Sequence, residues 1–135
     1  LGPAITLDVM DSEGAYIGGT ISPGMELVME ALFSRTAKLP QIALEAPERY
    51  IGGDTTEAIQ SGIVYGCGGM VDTLLENIFR ELVGPCRVIA TGGHSSILTS
   101  YSKIVKESDQ WLTLDGLRII YERNKDIYGY TGGLR

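Results

Sequence analysis

The 135-residue chain suits one compact core rather than two, and 44% of its residues are apolar. A formal charge of −6 excludes the clustered Lys/Arg that a nucleic-acid surface needs, and no run of like charge offers a polybasic membrane patch. The least charged stretch, Ala58 to Val71, carries Gln60, Ser61 and four glycines and is too short to span a bilayer, so it reads as a buried helix.

In chain order, Ile5, Leu7 and Val9 alternate with Thr6, Asp8 and Met10, as in a half-buried strand. Asp11-Ser12-Glu13-Gly14 supplies a turn, and Ala15 to Ile21 returns, which predicts an antiparallel hairpin. Gly18-Gly19 within the second strand predicts a bulge or the close approach of a ligand. Ser22-Pro23 reads as a helix start, serine capping and proline at the first helical position, with the helix running to about Thr36. A loop containing Pro40 and Pro47 follows and ends at Ile51-Gly52-Gly53.

Asp54 with Glu57 three residues on has the form of a capping box, which opens a long helix to about Val83. Its apolar positions recur at Ile59, Ile63, Met70, Leu74, Ile78 and Leu82. Gly62, Gly66, Gly68 and Gly69 interrupt it at a cost of up to about 1 kcal/mol each, so a kink or close packing against another backbone is expected. A short strand is expected at Arg87–Ala90, then Thr91-Gly92-Gly93-His94 and a helix from about Ser95 to Val105. Leu112-Thr113-Leu114 reads as an edge strand and Asp115 as the cap of a last helix through Arg123. The order β-β-α-α-β-α-β-α makes an α/β layered domain, a mixed sheet beginning with an antiparallel hairpin and covered by helices. The tail from Asn124 to Arg135 has no assignment.

Cys67 and Cys86 stand far apart, with no partner at metal-ligand spacing, so both are expected to be buried thiols in a reducing compartment. No signal peptide is visible, which makes the cytoplasm the expected location; the start at Leu1 rather than Met reads as truncation or processing. Each chemical motif has a structural reading beside it. Two glycines closing a strand at Thr91-Gly92-Gly93 admit a flat ligand against the backbone, or simply make a tight strand-to-helix turn. Leu1-Gly2-Pro3-Ala4-Ile5-Thr6 is a second phosphate-loop candidate, or an irregular terminus. Thr55 and Thr56 sit where hydroxyls cap helices. His94 stands alone, Asp8 and Asp11 flank a turn, and no serine–histidine–aspartate arrangement exists. Gly66-Cys67-Gly68-Gly69 follows no strand and is no dinucleotide fingerprint.

Taken in order, these pieces resemble the type III pantothenate kinase family from Leu1 to about Asn124. That family's second half opens with Asp-Phe-Gly-Thr-Ala-Thr-Thr and a hairpin ending Gly-Gly-x-Ile-x-Pro-Gly. Here the corresponding residues are Leu1-Gly2-Pro3-Ala4-Ile5-Thr6 and Gly18-Gly19-Thr20-Ile21-Ser22-Pro23-Gly24. Thr36-Ala37-Lys38-Leu39-Pro40 matches Thr-Ala-x-Leu-Pro. The run Ile51-Gly52-Gly53-Asp54-Thr55-Thr56-Glu57-Ala58-Ile59-Gln60-Ser61-Gly62 matches Ile-Gly-x-Asn-Thr-x-x-Ala-Ile-x-Ser-Gly. Ala90-Thr91-Gly92-Gly93 and Leu112-Thr113-Leu114-Asp115-Gly116-Leu117 complete the set. Each motif is weak alone; six in order are specific.

The resemblance implies an RNase H-like, actin-like ATPase fold, this chain being the single-domain C-terminal half of a two-domain kinase whose N-terminal half lies outside it. It implies ATP-dependent phosphorylation of pantothenate, the first step towards coenzyme A. It further implies a homodimer, a magnesium ion and a potassium or ammonium ion. Thr55 would contact pantothenate across the dimer interface, Thr91, Gly92 and Gly93 would lie beside adenosine, and Gly2, Pro3 and Ala4 against the ATP phosphates. Pro3 stands where the family has a threonine and lacks both hydroxyl and N–H. The family's cation-binding aspartate would precede Leu1, and its Asp-x-Gly-Asn-Thr and Gly-x-Asp-Arg motifs, the latter with the catalytic base, are absent. No general base or metal ligand is therefore assigned in this half, which is expected to be inactive alone. Two alternatives remain: a degenerate, non-catalytic binding or regulatory relative, and another sugar or acid kinase of the same superfamily, against which Ile51–Gly62 argues.

Overall fold

The computed structural model describes residues 2–35 and 42–125. Alternation builds the first element: in β1 (Ala4–Met10), Ile5 is buried and Leu7 and Val9 half-buried, while Thr6, Asp8 and Met10 face out. β1 pairs antiparallel with β2 (Tyr16–Pro23), Ile5 opposite Ser22, Leu7 opposite Thr20 and Val9 opposite Gly18. Asp11 makes the turn, its Oδ1 accepting from the N–H groups of Glu13 (2.9 Å) and Ala15 (2.8 Å). The register shifts between Val9 and Met10, which leaves Ile17 as the extra residue of a bulge beside Gly18. What comes close to Gly19 is the neighbouring strand and not a ligand, since a Cβ there would lie 2.1 Å from the Leu7 carbonyl oxygen.

Ser22 and Pro23 do not start a helix. They end β2 opposite Ile5 and Ala4, and the Ser22 hydroxyl donates to the Ile5 carbonyl (3.3 Å). Pairing with β1 outweighs the local cap chemistry, and α1 (Met25–Arg35) begins after Gly24. The predicted end of that helix at Thr36, and the Thr36–Pro40 motif, lie outside the described residues.

α2 (Thr55–Glu81) is the 27-residue helix the periodicity predicts. Asp54 caps it by accepting from the Glu57 N–H (2.9 Å), and the Glu57 carboxylate reaches back to the Gly53 N–H (2.7 Å). Its buried row is Ile63, Cys67, Val71 and Leu75, with Val64 and Gly68 beside it. The expected stripe is therefore rotated: of its members Ile63 is buried, and Ile59, Met70, Leu74, Ile78 and Leu82 are half-buried. Ile5, Met25, Ala90, Leu98 and Val105 complete the core, each fully buried side chain of this size being worth roughly 1.5–3 kcal/mol.

The second half departs further from expectation. Arg87–Ala90 forms no strand; its single ladder contact is a parallel bridge from Ala90 to Ser108. Ala90 there donates to the Glu107 carbonyl (2.9 Å) and accepts from Asp109 (2.8 Å). An apolar run becomes a strand only beside another, so the predicted mixed sheet reduces, among the described residues, to the hairpin and this bridge. α3 (Ser95–Tyr101) stops four residues before Val105 because Asp72 of α2 captures the chain. The Asp72 carboxylate accepts from the Ser102 hydroxyl and from the N–H groups of Lys103 (2.8 Å) and Ile104 (3.3 Å). The Ser102 oxygen in turn accepts from Val105 N–H (2.7 Å). Leu112-Thr113-Leu114 is not a strand but the first turn of α4 (Leu112–Asn124), having no sheet edge to join. Asp109 Oδ1 accepts from Trp111 N–H (2.8 Å) as the chain enters α4, and Asp115 lies inside the helix, paired with Arg118 (3.4 Å). Cys67 is buried as expected, and burial pushes its thiol pKa up, but Cys86 is exposed on the segment after α2.

Replacing Asp72 by Ala removes the acceptor of the Ser102 hydroxyl and of the Lys103 N–H, while the Ile104 N–H keeps the Ser102 oxygen at 3.1 Å. We expect a loss of about 3 kcal/mol in urea unfolding, with Asp72→Asn intermediate. A loss below about 0.5 kcal/mol would deny the carboxylate its structural role.

Candidate functional site

The first candidate loop, Gly2-Pro3-Ala4, is held by its neighbour rather than by itself. The Gly24 N–H donates to the Pro3 carbonyl (2.8 Å). A Cβ on Gly24 would stand 2.1 Å from the Gly2 carbonyl oxygen, so only glycine fits there. The Gly2 N–H is spent on the Ala4 carbonyl (3.2 Å), and Pro3 has none, which leaves these two residues no backbone donor for a phosphate.

The second loop, Thr91-Gly92-Gly93-His94, joins the Ala90 bridge to α3. Gly92 has φ of 98°, a left-handed conformation that side-chain-bearing residues resist, and its carbonyl accepts from Ser95 N–H (3.1 Å). Ser95 is fully buried, and its hydroxyl has no partner among the described residues. The glycine pair thus makes a tight turn from the Ala90 bridge into α3.

The structure links these two loops. Glu26, in the first turn of α1, lies two residues after Gly24, and its carboxylate lies 3.4 Å from His94 Nε2. Pro3, Gly24, Glu26 and His94 thus form a continuous connection from one loop to the other. Neither Glu26 nor its partner role for the lone histidine was visible in the sequence, because nothing local relates residues so far apart.

Thr55 occupies a different place. It is exposed at the first position of α2, and Asp54 performs the capping. The preceding loop is tied to α2 by three side chains. Gln60 Nε2 donates to the Ala43 carbonyl (2.9 Å), the Ser61 hydroxyl to that of Tyr50 (2.6 Å), and the Tyr65 hydroxyl to that of Pro47. Tyr50 stacks on Tyr65 with centroids 4.0 Å apart, and Tyr65 meets Tyr101 edge-on at 5.3 Å. Burial first, then the two neighbouring tyrosines, raise the Tyr65 pKa above its ordinary value. Gly52 fits tightly, since a Cβ there would lie 2.3 Å from Ala58 N. The result is an open concavity of about 550 Å³ lined by Glu48, Arg49, Tyr50, Ile51, Gly52 and Gly53, which ends just before Asp54 and Thr55. The tyrosines were missed in the sequence, although the spacing of Ser61 and Tyr65, one helical turn apart, was there to read.

With this geometry in place, the relatives can be considered. The family model described as type III pantothenate kinase matches residues 1–77. The chain belongs to that family. Among its relatives, the type III pantothenate kinase of Koribacter versatilis is 45% identical over 124 residues, covering 92% of this chain and 45% of its own length. That of Myxococcus xanthus is 46% identical over 123 residues, covering 91% and 48%. The chain therefore spans about half the length of the curated relatives it matches. A solved structure from Campylobacter jejuni, described as a conserved Baf family transcriptional activator, shares the fold with a TM-score of 0.65 at 20% identity. The match covers 92% of this chain and 55% of the other.

Gly92→Val places a branched side chain at a left-handed backbone position and should cost on the order of 1–2 kcal/mol in stability. In the intact protein it should also weaken ATP binding more than pantothenate binding in calorimetric titration. Equal losses for both ligands would reduce the loop to an ordinary turn.

Proposed function

We propose that the protein to which this chain belongs transfers the γ-phosphoryl group of ATP to the hydroxyl of pantothenate, the first step of coenzyme A synthesis, in the cytoplasm. The chain is then the C-terminal half of an RNase H-like, actin-like kinase, and its N-terminal half supplies the opposing jaw. The observation that carries this reading is the connection Pro3–Gly24–Glu26–His94. It holds together the two loops that match the family's nucleotide side, Gly2-Pro3-Ala4 and Thr91-Gly92-Gly93.

Phosphoryl transfer rests on positioning and on neutralising developing charge, so a jaw without a base still has work to do. The Gly92-Gly93 backbone admits the base or ribose of ATP without a Cβ in the way. The Pro3 loop, whose donors are spent, shapes the phosphate side by contact rather than by N–H groups. The base and the Asp-x-Gly-Asn-Thr loop fall to the other half. No group of three or more His, Cys, Asp or Glu side chains lies together among the described residues. The family also implies a magnesium ion and a potassium or ammonium ion. No helix among the described residues is long and apolar enough to cross a membrane.

The active form is a homodimer in this reading, with α2 at the contact. Gly62, Gly66 and Gly69 lie on the outer side of α2, and a Cβ on any of them would meet nothing within 4 Å in the chain. Gly68 alone turns inward, against the backbone of Tyr101 and Ser102. In an isolated helix each outer glycine gains up to about 1 kcal/mol on replacement by alanine. A close-packed partner reverses that sign. Gly66→Ala in the intact protein should therefore weaken the dimer in sedimentation velocity. A tighter or unchanged dimer with a raised melting temperature would remove α2 from the contact.

Thr55 separates a structural role from a substrate role. Because Asp54 makes the cap, Asp54→Ala should cost about 1 kcal/mol of stability, whereas Thr55→Ala should leave the melting temperature nearly unchanged. Thr55→Ala should instead raise the Michaelis constant for pantothenate, as loss of a hydrogen bond worth about 0.5–1.5 kcal/mol predicts. A lowered melting temperature with an unaltered Michaelis constant would make Thr55 structural.

A further inference from the structure

Residues 42–53 approach α2 with no helix or strand of their own. Burial does not hold the end of this loop either, since Tyr50 and Ile51 are 73% and 85% exposed. Such a loop keeps one shape only where something outside it fixes its backbone. Three side chains of α2 do so, each donating to a carbonyl: Gln60 to Ala43, Ser61 to Tyr50 and Tyr65 to Pro47. All three tethers end on backbone oxygens, so they hold the loop without engaging any polar side chain of it.

Tyr65 is the centre of this arrangement. Its hydroxyl reaches Pro47, its ring stacks on that of Tyr50 at 4.0 Å, and Tyr101 meets it edge-on at 5.3 Å. Tyr101 is itself fixed. It is the last residue of α3, and the next residue, Ser102, is bound by Asp72 of α2. Tyr65 is thus anchored on one side in the packed helices and attached on the other to the loop at Pro47 and Tyr50. Those two attachments bracket Glu48 and Arg49, and Gly52 closes the loop tightly against Ala58. The segment Glu48–Gly53 is also the wall of the open concavity of about 550 Å³ that runs up to Thr55.

We infer that Tyr65 is a positioning residue for pantothenate binding: it touches no substrate, but it sets the Glu48–Gly53 wall beside Thr55. This rests on the reading of Thr55 as a pantothenate contact. A loop wall contributes to a site only if it is held in place, because displacements of about 1 Å are enough to lose binding geometry. The effect should fall on one substrate. The nucleotide-side loop Thr91-Gly92-Gly93 precedes α3, whereas Tyr65 meets α3 at its far end.

Steady-state kinetics of two variants of the intact parent protein test this. Tyr65→Phe keeps the ring contacts and removes the hydroxyl; Ser61→Ala cuts the neighbouring tether at Tyr50. Each should raise the Michaelis constant for pantothenate about threefold to tenfold, as loss of one hydrogen bond predicts. The Michaelis constant for ATP and kcat should stay within about twofold, since the tethers lie away from the nucleotide side. A lowered melting temperature with an unchanged pantothenate constant, or a parallel rise of both Michaelis constants, would make Tyr65 structural and overturn the inference. A rise confined to Tyr65→Phe would also overturn it, by taking the effect away from the loop. Thr55→Ala keeps the two readings apart. If Thr55→Ala raises the pantothenate constant and neither tether variant does, this inference alone falls. A parent that phosphorylates no pantothenate sinks the kinase reading and this inference with it.

Discussion

A single buried carboxylate sets the course of the second half of the chain. Asp72 sits in the middle of α2 among Cys67, Val71 and Leu75, where an unpaired charge would cost several kcal/mol. It is tolerated because the Ser102 hydroxyl and the N–H groups of Lys103 and Ile104 converge on it. Ser102 then accepts from Val105, so the network turns the chain through a tight corner immediately after α3. That corner buries Val105 and sends Glu107, Ser108 and Asp109 back to bridge Ala90. Ala90 leads directly into Thr91-Gly92-Gly93, so the position of the candidate nucleotide loop descends from Asp72. Such networks are cooperative: without the carboxylate, the Ser102 hydroxyl and the Lys103 N–H lose their acceptor together.

This explains which parts of the fold could be read from the sequence. The hairpin could, because sidedness of a strand is written in neighbours two apart, as in Ile5, Leu7 and Val9, and Asp11 makes its turn from within. The start of α2 could, because Asp54 and Glu57 lie one turn apart and satisfy each other's backbone. Features decided at long range could not. Ser22-Pro23 has the composition of a helix start, but pairing with Ala4 and Ile5 decides the matter. The end of α3 is set by a side chain thirty positions earlier in the chain. Arg87–Ala90 and Leu112–Leu114 are apolar enough for strands, yet strand identity belongs to a pair, and neither run finds a full partner.

The candidate site divides in the same way. The turn at Gly92 was legible, since a glycine pair between an apolar run and a helix suits a tight turn, and Gly92 makes it in a left-handed conformation. Thr55 was legible as a residue beside, not at, the cap. The tie between Glu26 and His94 was not, nor was the engagement of Pro3 by Gly24. Both join segments distant in sequence, and both act on loops whose own residues are too short to hold a shape. The substitution of proline at position 3 also changes meaning in three dimensions. It has no N–H to donate, while its carbonyl takes a structural duty by accepting from Gly24.

Helix α2 shows how one element serves two kinds of neighbour. Its inner row of Ile63, Cys67, Val71 and Leu75 gains from burial within the chain, and Gly68 faces the backbone of Tyr101 and Ser102, where a Cβ would sit in ordinary contact at 3.7 Å. The outer glycines gain nothing inside the chain, yet each lowers helix stability by up to about 1 kcal/mol relative to alanine. Three such residues amount to a sizeable part of the roughly 5–15 kcal/mol that stabilises a domain. α4 presents the complementary imbalance, with large apolar side chains where polar ones would suit an exposed helix. The chain's sequence is thus consistent with its fold at the core and inconsistent at two surfaces.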